Sequence, residues 1–365
     1  MTVCVTGATG FIGGHVARLQ SQKVPVRVTY RDEERLERLH ELDVEPVRAD
    51  TMDRSALRRA FRGCDLVYHT AGFVGSRPPE RVWEVNALGP RLAVDAAAAE
   101  GVRRVVVTSS VAAIGPAPPG EVGSEDDVYR AGGLTYADAK HEGEAEALAA
   151  GARLGVEVVV VNPSYVFGVP VDPTEPGETS NRIIGNYLRG RLPAVVDGET
   201  NAADVRDVAA GHLMAAERGR PGERYVLGGH DISWVELIER VARLSGVRHP
   251  LLVLPRETAR AARLAETLHL PQVIAAEAFE LMAQNWRFSS RKAKRELGYR
   301  VRALNTTLRD TIGWYRELIE EGAFDGGVSS MSLAAAGVRL AQRTGMLGGL
   351  RTAERYLGRR LVSGA

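Results

Sequence analysis

The chain has 365 residues, enough for a large core built as one big domain or two coupled ones. Its 47 basic and 46 acidic side chains leave a net charge of +1, which argues against a broad electrostatic grip on nucleic acid and leaves small-molecule work as the default. Only two cysteines occur, Cys4 and Cys64, both beside apolar strand patterns; with no CxxC pair and no Cys/His cluster, neither a disulfide framework nor a metal site is indicated.

The N-terminus enters a strand at once, Val3-Cys4-Val5, without the basic and apolar regions of a signal peptide. No uncharged apolar segment is long enough to span a bilayer, so the expectation is a soluble, cytoplasmic protein. The next stretch, Thr6-Gly7-Ala8-Thr9-Gly10-Phe11-Ile12-Gly13-Gly14, is a glycine turn between that strand and a helical pattern. In this context Gly7 lets the chain turn sharply, Gly10 lets the backbone approach a pyrophosphate, and Gly13 lets the helix pack closely on its strand. The unpaired amides and positive end of the helix then face the phosphates. Thr9, Phe11 and Ile12 are counted with Gly7, Gly10 and Gly13 as candidate dinucleotide contacts. The spacing is Gly-x-x-Gly-x-x-Gly, and a purely steric turn is the competing reading.

Val24 to Tyr30 reads as the second strand, followed by a charged helix from Asp32 to Leu42 with Leu36, Leu39 and Leu42 on one side. Arg31 ends that strand, where such a sheet reads the adenosine ribose; an arginine accommodates a 2′-phosphate, whereas an acid favours the free hydroxyl. Asp32 stands one step later, so NADP(H) is favoured over NAD(H) without excluding it. A third strand, Glu45 to Asp50, runs into Thr51-Met52-Asp53, where Asp53 can cap the next helix. The fourth, Asp65 to His69, leads to Thr70-Ala71-Gly72, and His69 reads as a structural histidine.

A Pro/Gly/Arg-rich loop from Phe73 to Glu80 precedes a long helix, Arg81 to Glu100. The fifth strand, Arg104 to Val107, ends in Thr108-Ser109-Ser110, and the irregular segment Gly115 to Gly120 could wall a pocket. A helix from Thr135 to Ala152 and a sixth strand, Val156 to Val161, ending in Asn162-Pro163-Ser164-Tyr165-Val166-Phe167-Gly168, complete the pattern. Six strands alternating with five helices specify an α/β fold with a parallel, doubly wound Rossmann sheet.

After Gly168 the grammar changes to Pro-rich loop, then helices near 181–189, 204–217, 233–244, 256–268, 290–297 and 304–321, with a short strand at 224–227. The expected organisation is a dinucleotide-binding domain at 1–162, a smaller C-terminal substrate lobe at 163–325 with 202–228 returning to the first domain, and a basic amphipathic tail at 326–365. The tail, with six arginines against the single acid Glu354, suggests two short amphipathic helices; a packed or oligomer-facing appendage is preferred to a membrane-surface helix.

Tyr136 and Lys140 stand at i and i+4, neighbours on one helical face. A phenol has a pKa of about 10, too high for an efficient base near neutrality unless a nearby ammonium and a bound nicotinamide cation favour its phenolate. The same lysine can reach the nicotinamide ribose, and Ser110 adds a hydroxyl for the substrate oxygen. On any helix the pair is commonplace; here it opens the helix after the fifth strand, on the same edge as the glycine turn.

With these features the chain resembles the extended short-chain dehydrogenase/reductase family, also called the NAD-dependent epimerase/dehydratase family. The resemblance covers about residues 1–320 and is carried by TGATGFIGG, DTMD, HTAG, Asn86, TSS, YADAK and NPSYVFG. It implies that Asp50, with Thr51 beside it, contacts adenine, and that Thr70, Ala71, Gly72 and Thr108 line the cofactor. It further implies that Asn86 supports the active-site helix on the cofactor side, that Ser110, Tyr136 and Lys140 form the catalytic triad, and that Pro163 to Val166 form the nicotinamide-side loop. Within the family the chain is more similar to dihydroflavonol reductase-like proteins and to those called hopanoid-associated sugar epimerases, in the arginine after the second strand, in NPSYVFG and in DVRDVAAGHLMAAERGRPGERYVLGG. A homodimer formed through the helices 81–100 and 135–152 is also what the resemblance implies.

Sugar 4,6-dehydratases of this family carry an acid next to the catalytic serine or threonine, and some epimerising members a cysteine just after it; here Val111-Ala112-Ala113 follows Ser110. The expected function is therefore an NAD(P)-dependent reductase or dehydrogenase acting on a carbonyl/secondary-alcohol pair. A nucleotide-sugar 4-epimerase with tightly bound NAD and a non-catalytic dinucleotide sensor are the alternatives. Segments 73–81, 113–121 and 169–189 are expected to line the pocket for a small-molecule substrate, with Arg77, Arg81, Arg182 and Arg189 either holding a diphosphate or simply solvated.

Overall fold

Strand β1 (Val3–Thr6) is buried along its whole length, as a short apolar run is at the centre of a sheet covered on both faces. The chain is described by a computed structural model at every residue except 76, 131, 175, 177–179, 268–275, 325–329, 345, 349, 351–353, 355–359 and 364–365, with backbone alone at 260, 264–267 and 276–278. After β1, helix α1 (Phe11–Ser21) returns the chain to β2 (Val26–Tyr30); α2 (Glu33–Leu36) and a 3-10 turn (Glu37–Leu39) lead to the exposed edge strand β3 (Glu45–Arg48). The winding then reverses through α3 (Arg54–Phe61), β4 (Leu66–His69), α4 (Pro79–Trp83), one turn of π-helix (Glu84–Leu88), α5 (Gly89–Ala99), β5 (Arg104–Thr108), α6 (Thr135–Leu154) and β6 (Glu157–Pro163). Next come β7 (Tyr165–Phe167), α7 (Arg182–Leu188), β8 (Ala194–Val196), β9 (Glu199–Asp204), α8 (Val205–Arg218), β10 (Arg224–Leu227) and β11 (His230–Ser233). The chain continues with α9 (Trp234–Ser245), β12 (Leu251–Leu254), α10 (Thr258–Thr267), α11 (Ala276–Ala283), α12 (Leu304–Glu320), α13 (Ser330–Arg343) and β13 (Val362–Ser363).

The main sheet has seven strands in the order β10-β6-β5-β4-β1-β2-β3, every neighbouring pair parallel. It is the doubly wound Rossmann sheet read from the sequence, extended by β10, whose Arg224 to Leu227 pair with Val160 to Pro163. Two apolar layers enclose it: Val3, Val5, Val16, Val106 and Val208 on the face covered by α1 and α8, and Leu57, Phe61, Val94, Val105 and Ala147 on the face covered by α3, α5 and α6. The smaller C-terminal lobe has its own core, with Phe167, Tyr187, Trp234, Leu237, Trp314 and Tyr315, around sheets β11-β9-β7 and β13-β12-β8.

Two helices differ from their sequence reading, and strands β8, β9, β11, β12 and β13 have no counterpart in it. The charged helix over 32–42 is a four-residue helix and a 3-10 turn, because only Leu39 in it is buried and little apolar face holds a longer helix in place. The long helix over 81–100 is broken by the π turn; Pro90 has no N–H to give the carbonyl of Asn86 four residues back. In the tail, α13 buries Ala335, and Arg339 donates to the carbonyl of Gly190, while β13 pairs antiparallel with β12. The second tail helix read from the sequence falls largely outside the described residues. Among the described residues no helix is long and apolar enough to cross a membrane, and no group of His, Cys, Asp and Glu could hold a metal ion.

Candidate active site

β1 and β4 end side by side where the strand order reverses, with Thr6 opposite His69. Ligands of open α/β sheets bind at such a crevice. Gly7 takes a φ of +68°, and a Cβ on it would lie 2.6 Å from Ala71 Cα; a Cβ on Gly13 would lie 2.3 Å from the Gly7 carbonyl and 2.4 Å from Thr70 Oγ1. Both glycines are thus demanded by the close approach of the turn to the segment after β4. Gly10 is different: it is exposed, and an added Cβ would meet only the Gly7 oxygen, at 3.1 Å. Gly10 is also the N-cap of α1, which has no side-chain cap bond and no acid in its first turn. Bare first-turn amides at the positive end of a helix, reached past an open glycine, fit a pyrophosphate. Thr9, Phe11 and Ile12 stand half-buried around that position. Thr70 is fixed by its hydroxyl, which donates to the Thr6 carbonyl at 2.6 Å, and the Ala71 amide approaches Thr6 Oγ1 at 3.4 Å.

At the far end of the crevice, Arg31 is exposed and its Nη1 lies 4.0 Å from Asp50 Oδ2, with Arg81 Nη2 3.5 Å from the same oxygen. The other Asp50 oxygen accepts from the Met52 amide at 2.9 Å. Asp32, the acid that competes with Arg31 in the sequence, is the N-cap of α2 and accepts from the Glu34 amide. Thr51 packs toward Gly89 at the start of α5; a Cβ there would lie 2.9 Å from its methyl group.

The other side of the crevice is built on α6. Lys140 is buried, and its Nζ donates to the Thr108 carbonyl at 3.3 Å and lies 6.0 Å from the Tyr136 ring centroid. A Cβ on Gly72 would fall 3.1 Å from that Nζ and 3.4 Å from Asn86 Oδ1, so Gly72, Asn86 and Lys140 meet at one place. The Asn86 amide is locked by Phe73, accepting from its N–H at 3.0 Å and donating to its carbonyl at 2.7 Å. Ser110 caps the 3-10 turn Val111–Ala113, its Oγ accepting from the Ala112 amide at 3.1 Å, and its side chain is hydrogen-bonded to Tyr136. Ser110, Tyr136 and Lys140 therefore converge.

Burial pushes the Tyr136 phenol up to about 12, against the pull of the Ser110 hydrogen bond. Burial also brings the Lys140 ammonium down to about 8, with Glu144 opposing. The phenol stands in the first turn of α6, whose positive end favours a phenolate when the proton leaves. Such a phenol can hold a proton near neutrality and surrender it to a substrate oxygen.

The remaining sequence candidates fall as follows. Pro163 ends β6 opposite Leu227, and Val166 is a buried residue of β7 opposite Ala203, with its side chain in the core. His69 is fully buried with Nδ1 2.9 Å from Thr6 Oγ1, and burial drives it down to about 3. Arg81 is turned to Asp50 and Glu84, and the Arg182 guanidinium lies over the Phe324 ring at 5.8 Å.

Tyr165 lies within the Pro163 to Val166 loop expected on the nicotinamide side, whereas other residues beside the site carried no signal in the sequence reading. Tyr165, which packs edge-on against Trp234 at 4.9 Å, is pushed up by burial and feels Tyr136. A cavity of about 270 Å³ opens beside the start of α6, lined by Pro116 and Leu134 and, across from them, by Arg263, Glu280 and Gln284. Arg263 Nη2 pairs with Glu280 at 2.6 Å and approaches the Gly133 carbonyl at 3.4 Å, bringing α10 and α11 over that end of α6. Only Pro116 of this set lies in a segment expected to wall a pocket.

The profile of the NAD dependent epimerase/dehydratase family matches residues 3–228. A putative dihydroflavonol 4-reductase of Synechocystis sp. is 33% identical over 331 residues, covering 86% of this chain and 94% of that protein. The sterol demethylase protein B of Methylococcus capsulatus is 32% identical, covering 87% of this chain and 99% of that protein. Among solved structures, a nucleoside-diphosphate-sugar epimerase from Pseudomonas aeruginosa superposes with a TM-score of 0.74 at 29% identity, over 89% of this chain and 99% of that one.

Proposed function

The chain belongs to the NAD dependent epimerase/dehydratase family, and from that premise we propose that it is an NAD(P)-dependent reductase or dehydrogenase acting on a carbonyl/secondary-alcohol pair, with NADP(H) favoured. The observation that carries the reading is the meeting of Ser110, Tyr136 and Lys140 at the crevice, with only the buried apolar Val111, Ala112 and Ala113 following Ser110. A second acid or base for elimination is missing from that segment, so a single proton is exchanged by Tyr136. The nicotinamide would supply or accept the hydride.

In this reading Gly7, Gly10 and Gly13 with the first turn of α1 hold the pyrophosphate, Thr9, Phe11 and Ile12 flank it, and Asp50 and Thr51 face the adenine. Thr70, Ala71, Gly72, Asn86, Thr108 and Pro163 form the wall toward the nicotinamide, with the Val166 side chain behind it in the core. Ser110 orients the substrate oxygen, Tyr136 gives it a proton on reduction or removes one on oxidation, and Lys140 holds the ribose while biasing the phenol. Support for NADP(H) comes from Arg31: its guanidinium is exposed beside Asp50, while the acid next to it is engaged in capping α2.

The test is to purify the protein, identify any retained nucleotide by mass, titrate NADPH against NADH, and follow reduced-nicotinamide absorbance with candidate carbonyl substrates. Consumption of NADPH that Tyr136→Phe abolishes supports the reading. A 4-epimerase, the reading favoured by the likeness to the Pseudomonas aeruginosa protein, would retain NAD and turn over without net absorbance change. Turnover undiminished in Tyr136→Phe would overturn both.

A further inference from the structure

Tyr136, Lys140 and Glu144 follow one another at intervals of four on α6 and share a face. Glu144 is only 4% exposed. A carboxylate at that depth is costly unless its oxygens are engaged. Here two strands engage them: Arg224 Nη1 of β10 donates to Oε1 at 3.0 Å, and Asn162 Nδ2 of β6 donates to Oε2 at 2.8 Å. The same Asn162 Nδ2 donates to the main-chain carbonyl of Ser110 at 3.0 Å. Arg224 is braced in turn, donating to the Glu125 carbonyl, and the Glu125 carboxylate accepts from the Val226 amide at 2.7 Å.

Asn162 is fully buried, and its Oδ1 has no partner among the described residues. An orphaned buried acceptor costs about 1–3 kcal/mol. The amide therefore sits where its N–H groups are needed, at an energetic loss of the kind concentrated at functional sites.

We infer that Glu144 is a positioning residue for the Tyr136 and Lys140 chemistry: clamped by Arg224 and Asn162, it supplies the counter-charge one helical turn from Lys140 and, through Asn162, ties the Ser110 main chain to the same helix. The inference rests on the reading of the site proposed above. Lys140 is faced by Tyr136 and Glu144 from its own helix and by His69 from β4, which burial keeps neutral; Glu144 is faced by Lys140 and by Arg224 from β10. Burial alone would drive the lysine toward its neutral amine, and an uncharged amine no longer favours a phenolate at Tyr136. Glu144 holds that charge in place without touching substrate.

The test needs no substrate. Trace acetylation of the full chain with acetic anhydride, read by mass spectrometry from neutral to alkaline pH, gives the protonation midpoint of Lys140. The wild-type midpoint is expected near 8. Glu144→Gln lowers it by about one unit or more, and Glu144→Asp restores part of the shift. Arg224→Gln moves it the other way, because Glu144 then faces Lys140 without a competing cation. If Glu144→Gln does not fold, the upward shift in Arg224→Gln decides alone. Variants that lose melting temperature while keeping the wild-type midpoint, or a shift of the wrong sign, overturn the inference and leave the cluster a purely structural clamp. Protection of Lys140 by NADPH is scored separately in the wild type: its absence overturns the cofactor reading whatever the midpoints show.

Discussion

At neutral pH the Tyr136 phenol keeps its proton, and the group beside it that titrates first is Lys140, at about 8. Below that pH the ammonium is present; as pH rises through it, the charge that favours proton release from the phenol is lost. Turnover in the reducing direction is therefore expected to be level near neutrality and to fall on an alkaline limb near pH 8, seen in the pH profile of kcat/KM. Tyr136→Phe should lower kcat by about 10²–10⁴-fold with NADPH affinity changed by no more than a few-fold. Arg31→Ala should weaken NADPH about tenfold or more and leave NADH unaffected, measured by fluorescence titration. Much of this site could be read in the sequence because its parts are local: a glycine turn of fixed spacing, and a tyrosine and lysine one helical turn apart. Glu144 continues that spacing and was within reach of the same argument. The roles of Asn162, Arg224, Arg263 and Glu280 were not, since these residues reach the site across long sequence separations through strand pairing and lobe packing.

Helix α6, which carries the chemistry in the proposed function, lies against the π turn that precedes α5. The contact is backbone on backbone: a Cβ on Gly143 would fall 1.9 Å from the Asn86 carbonyl oxygen. Gly143→Ala should cost about 1–3 kcal/mol or more and, by displacing Asn86 and Lys140 together, reduce NADPH affinity as well. Gly313 provides the contrast within α12, where an added Cβ meets nothing within 4 Å; Gly313→Ala should stabilise by up to about 1 kcal/mol with binding unchanged. Thermal melts with and without NADPH distinguish the two. At this scale the alternation of apolar strands and helices was legible because each crossover of a parallel sheet repeats the same pattern. The π turn was not, since its cause is one missing donor at Pro90 and one neighbouring glycine on another helix. Nor was the shortened α2, whose length is set by how little of it the core covers.

Across the whole molecule, three buried histidines join layers while remaining neutral. His15 of α1 reaches the Val169 carbonyl at 2.9 Å, His69 sits under the glycine turn against Thr6, and His212 of α8 lies 2.8 Å from Thr108 Oγ1 on β5. The His212 ring is satisfied as the neutral tautomer: Nδ1 donates to the Val208 carbonyl at 2.8 Å, leaving Nε2 to accept from the Thr108 hydroxyl. Burial holds His15 and His212 down at about 4 and His69 at about 3. In the unfolded chain each takes up a proton near pH 6.5. The folded pKa values being depressed, the stability they contribute is complete above 6.5 and is lost as pH falls toward 4. Each histidine removes at most about 1.4 kcal/mol per pH unit, a slope approached only in the middle of that window. Asp204 acts later: burial pushes its carboxyl up, but hydrogen bonds from Arg206 and Thr307 outweigh this and hold it below the ordinary value. Its share is present above the unfolded carboxylate pKa and disappears only below about 4. Urea unfolding is therefore expected to show a midpoint that declines between pH 6.5 and 4.5 with an unchanged slope in denaturant, before carboxylates titrate. His212→Gln, which keeps a donor and an acceptor on one side chain but takes up no proton, should flatten that decline by roughly a third, as one of three comparable groups. A midpoint level across the window would mean that these histidines gain protons in the folded state without penalty, and that the layers they join are looser than their burial indicates.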